Sequence, residues 1–130
     1  PIMTHPGIEL CGYTVKQAVT DGQKHAEAIQ KLNEIYPAAA CTVIMDLTVE
    51  AEAFGAKVAF EENEVPNVIG RLVSDRTSIE ALEIPSLETA RVPQYLGANT
   101  LAAKCITDKP VFGGCIGPFS WQVACLTCRR

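Results

Sequence analysis

The clearest apolar-polar pattern lies in DGQKHAEAIQKLNEIY, where Ala28, Ile29, Leu32, Ile35 and Tyr36 recur at helical spacing on one face. Upstream, Thr14 and Gln17 stand three apart, as a capping box requires, so the pattern predicts one helix from Thr14 onwards. Pro37 closes it, because a proline ring disfavours α geometry in the residue before it. AAACTVIMDL then runs apolar without alternation. It is short for a helix and has the pattern of a strand buried on both faces of a parallel sheet. TVEAEAF reads as a short helix, with Thr48 as its cap and Gly55 as its stop. AKVAF alternates like a strand, and the acidic loop EENEVPN leads away from it. At the front, PIMTHPGIEL reads as a short apolar strand entering a Pro-Gly turn.

The second half repeats this logic. SIEALEI predicts one or two helical turns before Pro85. Pro93 marks a helix start, after which Tyr95, Ala98, Ala102, Cys105 and Ile106 share a face. PVFGGCIGP is a short apolar strand interrupted by glycines, and the following FS opens another helix. Strands and helices in alternation predict an α/β architecture with a parallel sheet. With no internal repeat and no low-complexity linker, the 130 residues read as one domain.

Composition narrows the partners. A hydrophobic share of 48% with 20% charged residues fits a globular chain and excludes a disordered one. The net charge of −4 argues against nucleic acid and anionic membranes, which are bound through clustered Lys and Arg. No apolar run approaches a membrane span, and no basic-then-apolar signal segment opens the chain. The six cysteines, at 11, 41, 105, 115, 125 and 128, are scattered as in a reduced, cytoplasmic protein. Cys11, Cys41, Cys105 and Cys115 read as small buried hydrophobes.

In parallel α/β folds the loops at the carboxyl ends of strands gather the chemistry. Three features fall there. Asp46 is the charge that touches the run CTVIMDL, and it suits a catalytic carboxylate or a turn before the next helix. His5 leaves the first strand beside Pro6. The segment GGCIGP supplies Gly113, Gly114 and Gly117, which could admit a ligand to the backbone or pack a strand closely on a helix. Glu50, Glu52, Glu61, Glu62 and Glu64 read as a solvated face with no metal partner.

Taken together, IMDLTVEAEAFGAKVAFEENEVPNV and KPVFGGCIGPFS resemble the uroporphyrinogen decarboxylase superfamily, which also holds corrinoid-dependent methyltransferases. The resemblance implies the first few units of an incomplete TIM (β/α) barrel, spanning residues 1–120. It places Asp46 where the decarboxylases keep their catalytic aspartate, nine residues before Gly55; with His5, which stands at its strand end independently of the resemblance, Asp46 is a candidate catalytic residue. Gly113, Gly114, Cys115, Gly117, Pro118 and Phe119 then form the substrate-binding loop. Decarboxylases carry an arginine-rich stretch after the first strand to grip substrate carboxylates, whereas this chain has HPGIELCGY, without arginine. The resemblance therefore favours methyl transfer from a methylcobamide to a thiol acceptor. A tetrapyrrole decarboxylase is the alternative, and a small non-catalytic α/β binding module a further one. A corrinoid or tetrapyrrole small molecule and a corrinoid protein are the implied partners. Zinc is implied for the complete methyltransferase, but its His and Cys ligands belong beyond residue 130, so no metal ligand is assigned here. A partial barrel of this kind is expected to be inactive alone and to form homo-oligomers through open strand edges.

Residues 121–130, SWQVACLTCRR without its serine, depart from the resemblance. Family members continue with a Leu-Ala-Gly-Arg-Leu type helix. If residues 121–126 are encoded TGG CAG GTC GCC TGT TTG, one C placed in front makes the same bases read Leu-Ala-Gly-Arg-Leu-Phe, so this tail is expected to be a frameshift product. Cys125 and Cys128 would then be a C-x-x-C by coincidence.

Overall fold

The computed structural model describes residues 4–126. Residues 1–3 of the expected first strand, and residues 127–130 with Cys128, lie outside the described residues. In chain order the elements are α1 (His5–Leu10), α2 (Val15–Thr20), α3 (Gly22–Ile35), β1 (Cys41–Thr42), α4 (Val49–Ala53), β2 (Lys57–Ala59), β3 (Asn67–Ile69), α5 (Arg76–Glu80), α6 (Val92–Cys105), β4 (Val111–Phe112) and α7 (Pro118–Leu126).

Local signals explain most helix ends. Thr14 and Gln17 form the reciprocal capping box of α2. The single helix expected from Thr14 breaks at Asp21, whose carboxylate accepts from the Gln23 and Lys24 N–H groups and so starts α3. Gly55 ends α4 at φ +98, a conformation that glycine adopts without a Cβ clash. Pro93 lies in the first turn of α6. The first expected strand is contradicted from His5 onwards. Pro6 falls in the first turn of a helix, where its missing N–H costs nothing, and Ile8 is buried against Val15, Val19, Ala28 and Ile44.

The sheets are small. β1 and β4 pair in parallel, with Cys41 opposite Val111 and Thr42 opposite Phe112. β2 and β3 pair antiparallel around the acidic loop, with Val58 opposite Val68, so this hairpin lies outside the expected parallel sheet. The long apolar run yields only two paired residues. Beyond Thr42 a side chain stands in for a strand partner, since the Ile44 N–H donates to His25 Nε2 at 2.9 Å.

Helix α3 packs along α6, and α1 lies across α3. Between α3 and the β1–β4 pair, Ile29, Cys41, Val43, Ala102 and Ile106 form a second buried cluster. A third joins Ala51, Ala56 and Val73 to Cys125 of α7, where the Trp121 ring meets Phe54 edge-on at 4.9 Å. Two expected faces end early, because Ile35, Tyr36 and Cys105 emerge into solvent at the helix ends. Cys41 is buried as expected, Cys11 is half-buried, and Cys115 sits exposed in the loop after β4. Among the described residues no helix is long and apolar enough to cross a membrane.

Candidate functional site

A cavity of about 320 Å³ opens where β1 and β4 end. Its walls are the chain leaving β1, helix α4, the first half of α6, the turn at residues 85–87 and the loop at 114–116. Most of the lining is aliphatic or aromatic. Asp46, Glu50, Tyr95 and Asn99 are its polar members that matter below, and among the described residues no Lys, Arg or His lines it.

Asp46 is held beneath this cavity. Its Oδ1 accepts from the Thr48 N–H (2.9 Å) and hydroxyl (2.7 Å), and its Oδ2 accepts from Arg91 Nη1 at 2.6 Å. The Asp46 side chain is 0% exposed and that of Arg91 7%. Arg91 is the hub of the arrangement. Its Nε donates to Glu52 at 2.5 Å, its Nη2 to the Thr48 hydroxyl at 2.7 Å and its Nη1 also to the Val19 carbonyl, while Phe60 covers the guanidinium face. Burial alone would disfavour the guanidinium charge, but the Asp46 charge and hydrogen bond, with Glu52, outweigh it and raise the Arg91 pKa. Thr48 caps α4 in position only, since its hydroxyl serves Asp46 and Arg91 instead of the helix amides.

Two further groups complete the polar floor. The Tyr95 hydroxyl has no hydrogen-bond partner among the described residues. Burial first, and the Asp46 charge second, raise its pKa, so it stays protonated at neutral pH. The His25 ring meets Tyr95 edge-on at 5.2 Å. Because His25 Nε2 accepts from Ile44, the neutral ring carries its proton on Nδ1.

The sequence profile described as uroporphyrinogen decarboxylase (URO-D) matches residues 2–128. The chain belongs to the uroporphyrinogen decarboxylase family. Within it, the chain is 31% identical over 115 residues to the methylcobamide:CoM methyltransferase MtbA of Methanosarcina mazei, covering 87% of this chain and 34% of that protein. It is 32% identical to MtbA of Methanosarcina acetivorans over the same shares. The chain thus spans about a third of the length of these relatives. A solved methyltransferase from Methanosarcina mazei superposes with a TM-score of 0.82 at 23% identity, over 95% of this chain and 37% of that one, which shows a common fold.

Against the residues expected for a member of this family, the structure brings Asp46, Gly114 and Cys115 to one cavity. Gly113, Gly117, Pro118 and Phe119 flank that loop without lining the cavity. His5 stands apart, since it opens α1 and leaves no strand end. Sequence reasoning missed Arg91, Tyr95 and His25. It also read Glu50 and Glu52 as solvated, whereas Glu52 pairs with Arg91, and Glu50 accepts from the Ile116 N–H at 2.9 Å. Among the described residues no group of three or more His, Cys, Asp or Glu side chains could hold a metal, so no step here is assigned to zinc.

His25 makes the fold sensitive to acid. Burial lowers its pKa from 6.5 to about 4, and the nearby Asp46 charge opposes this only in part. The stability of the neutral ring is fully present above pH 6.5 and is lost as pH falls from there towards 4, where only the unfolded chain takes up the proton. The expected loss across that window is about 3 kcal/mol. Urea unfolding at pH 7 and pH 4.5 should show it, and His25→Gln should remove most of that pH dependence. An unchanged slope in the variant would exclude His25 as its source.

Proposed function

We propose that the chain is the first part of an incomplete TIM barrel from a methyltransferase that moves a methyl group from a methylcobamide to a thiol. In that reaction the cobalt–carbon bond breaks with its electron pair left on cobalt, and the thiolate sulfur forms the new bond to carbon. The observation that carries the reading is the cavity wall. A uroporphyrinogen bears many carboxylates and needs fixed cations. Among the described residues this cavity has no basic lining side chain, and the Arg91 guanidinium beside it is already bound by Asp46, Glu52, Thr48 and Val19. The relatives named for methylcobamide:CoM methyl transfer support the same reading. In it, Asp46 shapes the cavity floor through Thr48 and Arg91. A bound zinc would supply an activated thiolate, from ligands outside the described residues.

The reading is tested on the gene. About 200 further codons, the length a closed barrel needs beyond this chain, should follow residue 120 in the corrected frame and encode a His-x-Cys and a later Cys. The protein made from that extended frame should demethylate methylcobalamin with a small thiol, followed by the cobalamin spectrum. Decarboxylation of a uroporphyrinogen with no demethylation would sink the proposal.

A further inference from the structure

The turn at residues 85–87 belongs to a longer segment that differs from the cavity's other walls. Residues 83–90 hold neither helix nor strand. Both ends are anchored. Leu82 packs on the cluster of Ala51, Val73 and Cys125, and Arg91 is bound by Asp46, Thr48, Glu52 and Val19. Between those anchors the hydrogen bonds are local. Ser86 Oγ accepts from the Glu88 N–H at 3.2 Å, and the Ser86 carbonyl accepts from the Thr89 N–H at 3.1 Å. Among the described residues no hydrogen bond or ion pair joins 83–88 to another element. Two features mark the segment as a moving part. Ile84 is 92% exposed and Leu87, on the cavity wall, 66%, although an apolar cavity lies beside them. Ala90, next to the Arg91 anchor, has φ +51, and among the described residues no other non-glycine residue has a positive φ. A Cβ crowds the backbone there, and such strain persists only where the surroundings impose it.

We propose that residues 83–90 are a strap that closes over the cavity by turning about Ala90. The structure holds the strap open, with Ala90 strained. Closing takes Ala90 to a negative φ, releases that strain, and lays Leu87 and Ile84 onto apolar walls that include Phe54 and Leu96. The turn bond from the Val92 N–H to the Thr89 carbonyl, 3.2 Å, yields in this motion. Its donor lies in the first turn of α6, where water takes over the bond. Cys115, exposed on the wall formed by residues 114–116, comes under the closed strap. A shut cavity strips water from a bound ligand, which suits any reaction whose nucleophile is weakened by hydration. The inference rests on this cavity being the ligand site, and not on which reaction it hosts.

The test traps the closed strap with a disulfide. In the chain carrying Leu87→Cys, at micromolar concentration, diamide takes two electrons and two protons from a pair of thiols that meet. Peptide mass mapping then identifies the pair. The introduced thiol should join Cys115 and not Cys105, although both native thiols are exposed. Adding Ala90→Gly relieves the open form of its strain, and should slow this cross-link about fivefold, the factor that a left-handed alanine is worth. Adding Ile84→Ser instead should slow it about threefold, because a serine gains little from being covered. All three positions are exposed, and circular dichroism checks that each variant is folded. Absence of a disulfide to Cys115, or one formed with Cys105 alone, overturns the proposal. So does a Cys115 cross-link whose rate is unchanged or raised by Ala90→Gly or by Ile84→Ser, since fixed proximity would then explain it. The trap needs no turnover, so the methyl-transfer reading is scored apart from it, by demethylation of a cobalamin.

Discussion

Arg91→Ala is expected to remove about 3–5 kcal/mol of folding stability, the cost of leaving buried charges without a partner. The guanidinium binds groups from four places in the chain: Val19 at the end of α2, Asp46 and Thr48 after β1, and Glu52 in α4. Its loss would strand Asp46, whose side chain is 0% exposed, with only Thr48 as donor. A small domain holds about 5–15 kcal/mol in all, so the loss removes a large share of that margin. Arg91→Lys keeps the charge but replaces a planar fork with a point, and should lose less, about 1–2 kcal/mol. Urea denaturation of the three proteins checks the order. A midpoint for Arg91→Ala that corresponds to less than 1 kcal/mol would show that the pair contributes little beyond its own desolvation.

The second large effect is steric. At Gly22, the first residue of α3, a Cβ would stand 2.4 Å from the Gln94 carbonyl oxygen and 3.2 Å from the Ala98 nitrogen of α6. Backbone cannot rotate away as a side chain can, so the two longest helices would have to separate. The separation would also stretch the bond from the Gly22 N–H to Gln94 Oε1, now 2.9 Å. Gly22→Ala is therefore expected to cost about 3 kcal/mol or more, at the upper end of overpacking penalties. Gly97→Ala is the internal control. It lies in α6 with no atom within 4 Å of the added Cβ, and should stabilise by about 0.5–1 kcal/mol through helix propensity. Thermal unfolding should move the two variants in opposite directions. A shift of the same sign would break the argument.

Reading the sequence succeeded where the cause is local. The Thr14–Gln17 box, the Gly55 stop and the Pro93 start each depend on residues within one turn of each other. The Asp21 break was available by the same logic, since an Asp-Gly before a periodic run is a helix-start signal. What stayed hidden is set by pairing over distance. Arg91 meets Asp46 and Glu52 across 45 and 39 residues, and no periodicity marks such a partner. The length of β1 was illegible for the same reason. A run of apolar residues shows that a segment is buried, whereas a strand continues only as far as a neighbour accepts its hydrogen bonds, and here His25 takes over at Ile44. The cavity itself was partly legible. Asp46, Gly114 and Cys115 follow apolar runs, but Glu50 and Tyr95 sit on helices whose facing walls come from elsewhere in the chain.

The parallel pair of β1 and β4 has a kinetic consequence. Cys41 and Val111 are joined side by side although about seventy residues of chain separate them, so this contact must close a long loop before any energy is returned. The helical pairs at the front of the chain can form early through near neighbours, with α1, α2 and α3 meeting before β4 arrives. The cavity needs β1 and β4 together, since one of its walls follows each strand. It is therefore expected to assemble in the last steps of folding and to be among the first features lost when the chain opens.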